Sequence, residues 1–361
     1  MILGNNEKNT IVEIIENYLE INNEPHAGVA LFFRKHAERK CPTPTRCGGI
    51  PKIQVSDIDK QKEFLDFGTV TYTEKTRASI KVQDGCNNFC SYCLIPYARG
   101  RIRSRKKESV LEEITQIAKK GIKEIVITGI HIASYGRDFE EDYKLIDLLE
   151  DINSIKGIKR IRLGSLEPNV ITKEFVNRLS KLEKMCNHFH LSLQSGCNET
   201  LKRMNRKYSV EQIEESVKLL RKSFKDVALT TDIIVGFPGE TEKEFENTYN
   251  FLDKIRLTKM HIFKYSPREG TRAAVMPNQI DGNIKEQRSQ KLIELSNKNE
   301  EEFLKEQIGK EVEVLFEEQE GELWKGHTSN YLVVKKEGKK LENILQVVKI
   351  DMVKEFALMA K

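Results

Sequence analysis

Six apolar runs rich in β-branched and aromatic residues recur along the chain, at 78–82, 124–128, 159–163, 188–193, 227–235 and 259–265. They are spaced at intervals of about 30 to 45 residues, and each of the first five is followed by a segment whose apolar residues have helical spacing, for example 110–120, 144–155 and 210–222. Strands alternating with helices in this way mean βαβ units and a parallel sheet. Six such units predict an α/β fold, a partial or open (β/α)6 barrel, with its reactive groups at the carboxyl ends of the strands.

Chemistry-bearing residues fall at those ends. The first run leads into Asp84-Gly85-Cys86-Asn87-Asn88-Phe89-Cys90-Ser91-Tyr92-Cys93, whose cysteines are spaced to bind three corners of an iron-sulfur cube and leave the fourth iron open. An electron-transfer cluster normally has four thiolates, so three with no fourth nearby imply that something other than protein fills the last position. A zinc knuckle is the alternative, but zinc usually wants a fourth Cys or His at short spacing, and none follows until His131. The next run ends in Thr128-Gly129-Ile130-His131, the third in Gly164-Ser165-Leu166-Glu167-Pro168 and the fourth in Gln194-Ser195-Gly196. In the fifth, Asp232 precedes Gly236-Phe237-Pro238-Gly239-Glu240, a turn that lets backbone approach a ligand closely. Singly, a Gly-Pro turn is ordinary loop chemistry, and a Ser or Gln at a strand end is more often a helix cap than a ligand. Their shared rim makes them candidates.

Two basic clusters stand out. Arg99, Arg101, Arg103, Arg105, Lys106 and Lys107 place six cations in nine positions shortly after the third cysteine. A charge run is usually solvated surface, but a polyanion gripped here would be held beside the metal. The second cluster lies beyond a long helical stretch at 283–307. There, 311–316, 323–327, 331–336, 345–350 and 354–359 read as five short strands, enough for a small all-β barrel of oligonucleotide-binding type. Its Lys325, His327, Tyr331, Lys335, Lys336, Lys339 and Lys340 suit phosphate contact and base stacking, or else form a solvated lysine-rich face. At the other end, residues 7–20 have one apolar helical face, while 24–51, with Cys41, Cys47 and Gly48-Gly49, show no sustained period. Four segments follow: 1–20, an irregular linker at 21–65, the β/α unit at 66–305 and the small barrel at 306–361.

With 32% charged residues and a net charge of only +5, any nucleic-acid affinity must come from such local clusters. No apolar run approaches a membrane span, and the N-terminus does not read as a secretion signal. Seven cysteines without such a signal favour a reducing compartment, here the cytoplasm.

The cluster loop with Tyr92-Cys93-Leu94-Ile95-Pro96-Tyr97-Ala98-Arg99-Gly100-Arg101 resembles the radical S-adenosylmethionine (SAM) methylthiotransferases. So do Leu191-Ser192-Leu193-Gln194-Ser195-Gly196-Cys197, Arg203-Met204-Asn205-Arg206-Lys207-Tyr208 and Val235-Gly236-Phe237-Pro238-Gly239-Glu240-Thr241. The C-terminal barrel is similar to their TRAM domain. Tyr97 to Arg101 and Thr128 to His131 are most similar to the MtaB branch, which converts N6-threonylcarbamoyladenosine beside the tRNA anticodon to its 2-methylthio derivative. The resemblance implies that Cys86, Cys90 and Cys93 hold a 4Fe-4S cluster whose open iron is chelated by SAM, and that Tyr92 lies against the adenine. Gly129, His131, Ser165, Glu167, Gln194, Ser195 and Asp232 would frame the rest of SAM. An electron delivered by a donor such as flavodoxin or ferredoxin would release a deoxyadenosyl radical able to reach carbon 2 of the tRNA adenine, a position that acid-base chemistry cannot easily reach. Arg99, Arg101, Arg103, Arg105, Lys325, His327 and Tyr331 are the residues expected to contact the tRNA anticodon stem-loop.

One departure bears on function. The family opens with an N-terminal domain whose three cysteines bind a second 4Fe-4S cluster carrying the sulfur to be inserted. This chain is expected to retain only its last elements, at 1–20, and to lack those ligands. The stretch 24–51 does not resemble the family, so Cys41 and Cys47 are read as exposed thiols, and Cys186 and Cys197 as packing residues. Two readings follow: a tRNA methylthiotransferase or its larger part, and a cluster- and RNA-binding remnant that cleaves SAM without inserting sulfur. Within the enzyme class, isopentenyladenosine in tRNA and a ribosomal-protein aspartate are the rival substrates.

Overall fold

The computed structural model describes residues 76–361 continuously, residues 61–66, and short pieces at 2–3, 53–54 and 58. The expected helix at 7–20 and the irregular stretch at 24–51, with Cys41 and Cys47, lie outside the described residues.

Seven strands form the first unit: β1 (Arg77–Asp84), β2 (Arg103–Ser104), β3 (Glu124–Gly129), β4 (Arg160–Leu163), β5 (His188–Gln194), β6 (Ala228–Val235) and β7 (Lys259–Lys264). Parallel pairing joins β1 to β3 and β3 to β4, and likewise β5 to β6 and β6 to β7. Bridges at Ile161–Met185 and Leu166–Leu191 carry the arrangement from β4 to β5. The six parallel strands therefore follow one another in chain order, with β2 antiparallel against the end of β1. Among the described residues β7 does not pair with β1, so the barrel is open, as expected.

Period-two alternation explains how each strand sits. Ala78, Ile80 and Val82, Ile125 and Ile127, Ile161 and Leu163, and Phe189, Leu191 and Leu193 are all buried in one core with the helices. Each of the Val, Leu, Ile and Phe side chains among them contributes ~1.5–3 kcal/mol by leaving water. Alternate positions, among them Lys81, Gln83, Arg162, His190, Thr230, Asp232 and His261, belong to the opposite, concave face. The helices are α1 (Ile95–Arg99), α2 (Lys107–Lys119), α3 (Leu145–Asn153), α4 (Lys173–Leu179), α5 (Asn198–Arg203), α6 (Val210–Ser223), α7 (Glu242–Ile255) and α8 (Gly282–Lys305). Capping boxes at Ser209 with Gln212 and at Thr241 with Glu244 define where α6 and α7 begin.

The second unit is a closed five-stranded barrel of β8 (Glu311–Glu320), β9 (Leu323–Thr328), β10 (Val333–Glu337), β11 (Ile344–Lys354) and β12 (Ala357–Ala360), in the order β8-β9-β10-β12-β11. Val314, Phe316, Trp324, Val334, Val348, Ile350 and Leu358 fill it, together with Leu304 from α8. Gly326 is required where strands cross closely, since a Cβ there would sit 2.4 Å from the Leu315 carbonyl oxygen. The strand expected from residue 331 starts instead at Val333, because Tyr331 takes φ 67° in the preceding turn.

This small barrel docks on the amino ends of the parallel strands, opposite the cysteine loop. Arg160 donates to the His327 and Glu313 carbonyl oxygens at 2.9 and 2.7 Å, and Arg162 to the Ser329 carbonyl at 3.0 Å. Arg77 pairs with Glu317 at 2.7 Å, Lys310 with Asp226 at 2.8 Å, and Asn330 donates to the Asp226 carbonyl at 2.9 Å. Fully buried Glu124 lies 2.8 Å from Arg162, 3.7 Å from Arg160 and 3.9 Å from Arg77.

Substituting Glu124→Gln leaves the arginines buried beside it without their carboxylate and is expected to lower stability by ~3–5 kcal/mol in a denaturant titration. A second expectation concerns His188 at the start of β5. Burial, then the charge of Arg162 and the neighbouring His190 and His261, holds its imidazole down to about 3. Below the ordinary histidine value of about 6.5 the unfolded chain takes up a proton that the folded chain refuses, so stability should decline as pH falls from there toward 3. His188→Asn should flatten that limb of a stability-against-pH curve.

Candidate active site

The cysteine loop is pinned before it reaches any ligand. Gly85 adopts φ 72°, and a Cβ there would lie 1.8 Å from the Arg101 carbonyl oxygen, so only glycine permits the return of the chain at this point. Cys86 N–H donates to the Gly100 carbonyl at 3.1 Å and Ser91 N–H to the Met204 carbonyl at 3.0 Å. The Asn205 amide donates to the Phe89 carbonyl at 2.8 Å.

Cys86, Cys90 and Cys93 are half-buried and free of disulfides. Each sulfur accepts one N–H: from the Asn88 backbone to Cys86 at 3.5 Å, from the Ile95 backbone to Cys93 at 3.4 Å, and from the Arg206 guanidinium to Cys90 at 3.1 Å. Burial pushes the Cys86 thiol up to about 11 and moves Cys93 in the same direction, so each thiolate needs a cationic partner to persist at neutral pH. Among the described residues no three His, Cys, Asp or Glu side chains converge tightly enough for a single metal ion. Three soft donors, each supplied with an N–H, fit the separate corners of an iron-sulfur cube.

Behind the loop, the strand ends meet in one buried network. Glu167, after β4, accepts from the Asn88 amide at 2.8 Å, lies 2.9 Å from His131 Nε2 and pairs with Arg206 at 2.8 Å. Burial opposes its ionisation, yet the His131 hydrogen bond, the charges of Arg206 and His131, and Asn88 outweigh that and hold the carboxyl at about 2. His131 backbone N–H donates to Gln83 Oε1 at 2.7 Å, while its buried Nδ1 has no partner among the described residues. Tyr208 contacts the Ser192 and Leu193 carbonyls and receives Arg206 Nε–H at 2.7 Å.

Of the other candidates, Gly129 packs against Gln83 and Ile132, Ser165 is exposed and Gln194 ends β5 with φ 68°. Asp232 is 3.2 Å from His190 Nε2 on the concave face. Tyr92 packs against Phe237, with ring centroids 6.3 Å apart. Ser195 departs from expectation: it is buried toward α7, 3.3 Å from the Thr248 hydroxyl, and accepts from Cys197 N–H at 3.2 Å. It closes the β5–α5 turn and does not face the site. The Gly236 turn is likewise filled, because Lys285 packs where a Cβ would be and Gly236 N–H donates to Glu240.

The basic run divides. Arg101 is exposed over the Phe89 ring at 4.9 Å, and half-exposed Arg99 lies 3.8 Å from Asp84. Arg103 and Arg105 point inward, correcting the expectation for them: Arg103 is 1% exposed and donates to the Arg99 carbonyl, and Arg105 pairs with Glu113 and Asp66. In the small barrel Lys325 is paired with Glu318 and Glu320, and His327 lies 2.9 Å from Glu317. Tyr331 stacks on His327 and lies under Arg162 at 4.6 Å, so this pair belongs to the junction at the far end from the cysteines. Sequence reasoning passed over Asn88 and gave Arg206 and Tyr208 no role in the site; only the resemblance at 203–208 marked them.

The Radical SAM superfamily profile matches residues 80–252, and with the three-thiol loop on the barrel rim it defines a radical SAM enzyme. Threonylcarbamoyladenosine tRNA methylthiotransferase MtaB of Bacillus subtilis (strain 168) is 41% identical over 83% of this chain and 67% of its own length. A tRNA-2-methylthio-N(6)-dimethylallyladenosine synthase of Thermoanaerobacter sp. (strain X514) is 40% identical over 84% of this chain and 64% of its own. The ribosomal protein uS12 methylthiotransferase RimO of Clostridium botulinum (strain Hall) is 37% identical over 90% and 67%. The chain belongs to the radical SAM methylthiotransferase family and spans about two thirds of the length of these relatives. The cofactors of this class are a 4Fe-4S cluster and SAM, and methylthiotransferases carry a second cluster. Among the described residues no helix is long and apolar enough to cross a membrane.

Separate effects are expected from two arginines. Arg101→Gln changes an exposed side chain and should leave stability within ~0.5 kcal/mol of the unsubstituted chain in a thermal melt. Arg105→Gln strands buried Glu113 and should cost ~3–5 kcal/mol in a thermal or denaturant melt.

Proposed function

We propose that the chain carries out the SAM-dependent step of a tRNA methylthiotransferase acting on N6-threonylcarbamoyladenosine beside the anticodon. Cys86, Cys90 and Cys93 hold the cluster, and Tyr92, Gly129, His131, Ser165, Glu167, Gln194 and Asp232 surround SAM. When bound, these groups supply one-electron chemistry able to reach an unactivated C–H bond. An external donor of the flavodoxin or ferredoxin kind supplies the electron. Arg99 and Arg101 lie beside the loop, where an anticodon stem-loop would be held.

The observation that carries the choice of substrate is the chemistry of the concave face. Lys81, His190, Asp232 and His261 lie on it, with the His190 and His261 rings 5.9 Å apart and His190 Nδ1 2.9 Å from the Thr230 hydroxyl. A threonylcarbamoyl group brings a carboxylate, a hydroxyl and a urea, each able to use such partners. A dimethylallyl group brings only apolar surface and nothing to exchange for the bonds that His190 makes with Asp232 and Thr230 and that Lys81 makes with Asp84. Relatives named for all three substrates are similarly close in sequence, so this reading rests on wall chemistry and not on identity.

Mass spectrometry of tRNA nucleosides from a deletion strain should show loss of the 2-methylthio derivative of threonylcarbamoyladenosine, restored by the gene; unchanged levels refute the substrate. Iron analysis of the anaerobically reconstituted chain separates the two readings of its activity. About eight irons with methylthio product mark a complete enzyme, whereas about four with SAM cleavage and no product mark a chain that needs its sulfur-carrying cluster from elsewhere.

A further inference from the structure

The guanidinium of Arg206 is committed on every nitrogen. Nε donates to the Tyr208 hydroxyl at 2.7 Å, Nη1 to Cys90 Sγ at 3.1 Å, and Nη2 to the Ser192 carbonyl at 3.1 Å while lying 2.8 Å from Glu167 Oε1. Its side chain is 7% exposed and that of Glu167 is 6% exposed. Cys86 and Cys93 receive longer bonds from backbone N–H groups; among the described residues Cys90 alone of the three thiols has a full positive charge donating to its sulfur.

We propose that Arg206 raises the reduction potential of the cluster held by Cys86, Cys90 and Cys93, and that Glu167, its ion-pair partner, sets the limit of that rise. The proposal rests on the assignment of the three cysteines to a cluster. Reduction adds negative charge to a cluster and its thiolates, so a positive donor at one sulfur favours the reduced form. In a buried setting that charge is weakly screened, and its effect is large. Glu167, two contacts from the same sulfur, acts with the opposite sign. The fork geometry matters as well, because Ser192 and Tyr208 hold the guanidinium so that it cannot turn from the sulfur to solvent. Arg206 is thus a positioning and tuning residue, acting through Cys90.

The test is an anaerobic redox titration of the reconstituted full chain without SAM, read by electron paramagnetic resonance beside iron analysis. Arg206→Gln should move the midpoint to more negative values, lowering the ratio of reduced to oxidised cluster at a fixed poise about tenfold, equivalent to about 59 mV for one electron. Glu167→Gln should move it the other way, and Arg206→Lys, which keeps the charge and loses the fork, should fall between Arg206→Gln and the unsubstituted chain. Shifts of the same sign in both Gln variants, or no shift with about four irons retained, overturn the proposal. If Arg206→Gln fails to hold iron, Glu167→Gln decides alone, and an unraised midpoint overturns it. An unsubstituted chain that binds no cluster sinks the cysteine assignment itself, a result distinct from these.

Discussion

One-sided burial of the parallel strands is the constraint from which the remainder follows. Because Ala78, Ile80, Val82, Ile125, Ile127, Phe189 and Leu191 are all buried in the core that the strands share with the helices, the opposite face need not be apolar. The same register sets every carboxyl end on one rim, so the cysteine loop, His131, Glu167 and Gln194 arrive together although they come from four different crossovers. No single loop could place them so.

Much of this was legible in the sequence, for identifiable reasons. Six strand runs and five small-barrel strands were readable because β-branched alternation and turn residues are local signals. The three cysteines were readable because cluster spacing is also local. Arg103 and Arg105 looked solvated because a charge run on the page does, whereas β2 pairs with β1 and the whole stretch 103–105 is buried, where Asp84 and Glu113 meet the two arginines. Ser195 was misjudged for a similar reason: its neighbour Gln194, at φ 68°, turns the chain at the strand end and leaves Ser195 against α7. His327 and Tyr331 have the composition of a base-stacking surface, and composition carries no information about which barrel end they meet.

Long-range pairs were the least legible. Asn88, His131, Glu167 and Arg206 are separated by up to 118 positions, from 88 to 206, and no period links them. They matter because Asn88 sits in the cluster loop, His131 and Glu167 follow strand ends and Arg206 lies between α5 and α6, so that their contacts tie the loop to the barrel. An ion pair this deeply buried adds little to net stability compared with apolar packing. Its value lies in holding charged groups in fixed places near sulfur, where water would otherwise screen them.

The small barrel meets the starts of the parallel strands through Arg77, Arg160, Arg162, Asp226 and Lys310. Among the described residues this stops the half-barrel at one end and turns it into a well with a floor, entered from the rim or from the gap between β7 and β1. A ligand seated at the rim would therefore leave only the side gap open, so the order in which two ligands enter becomes a property of shape.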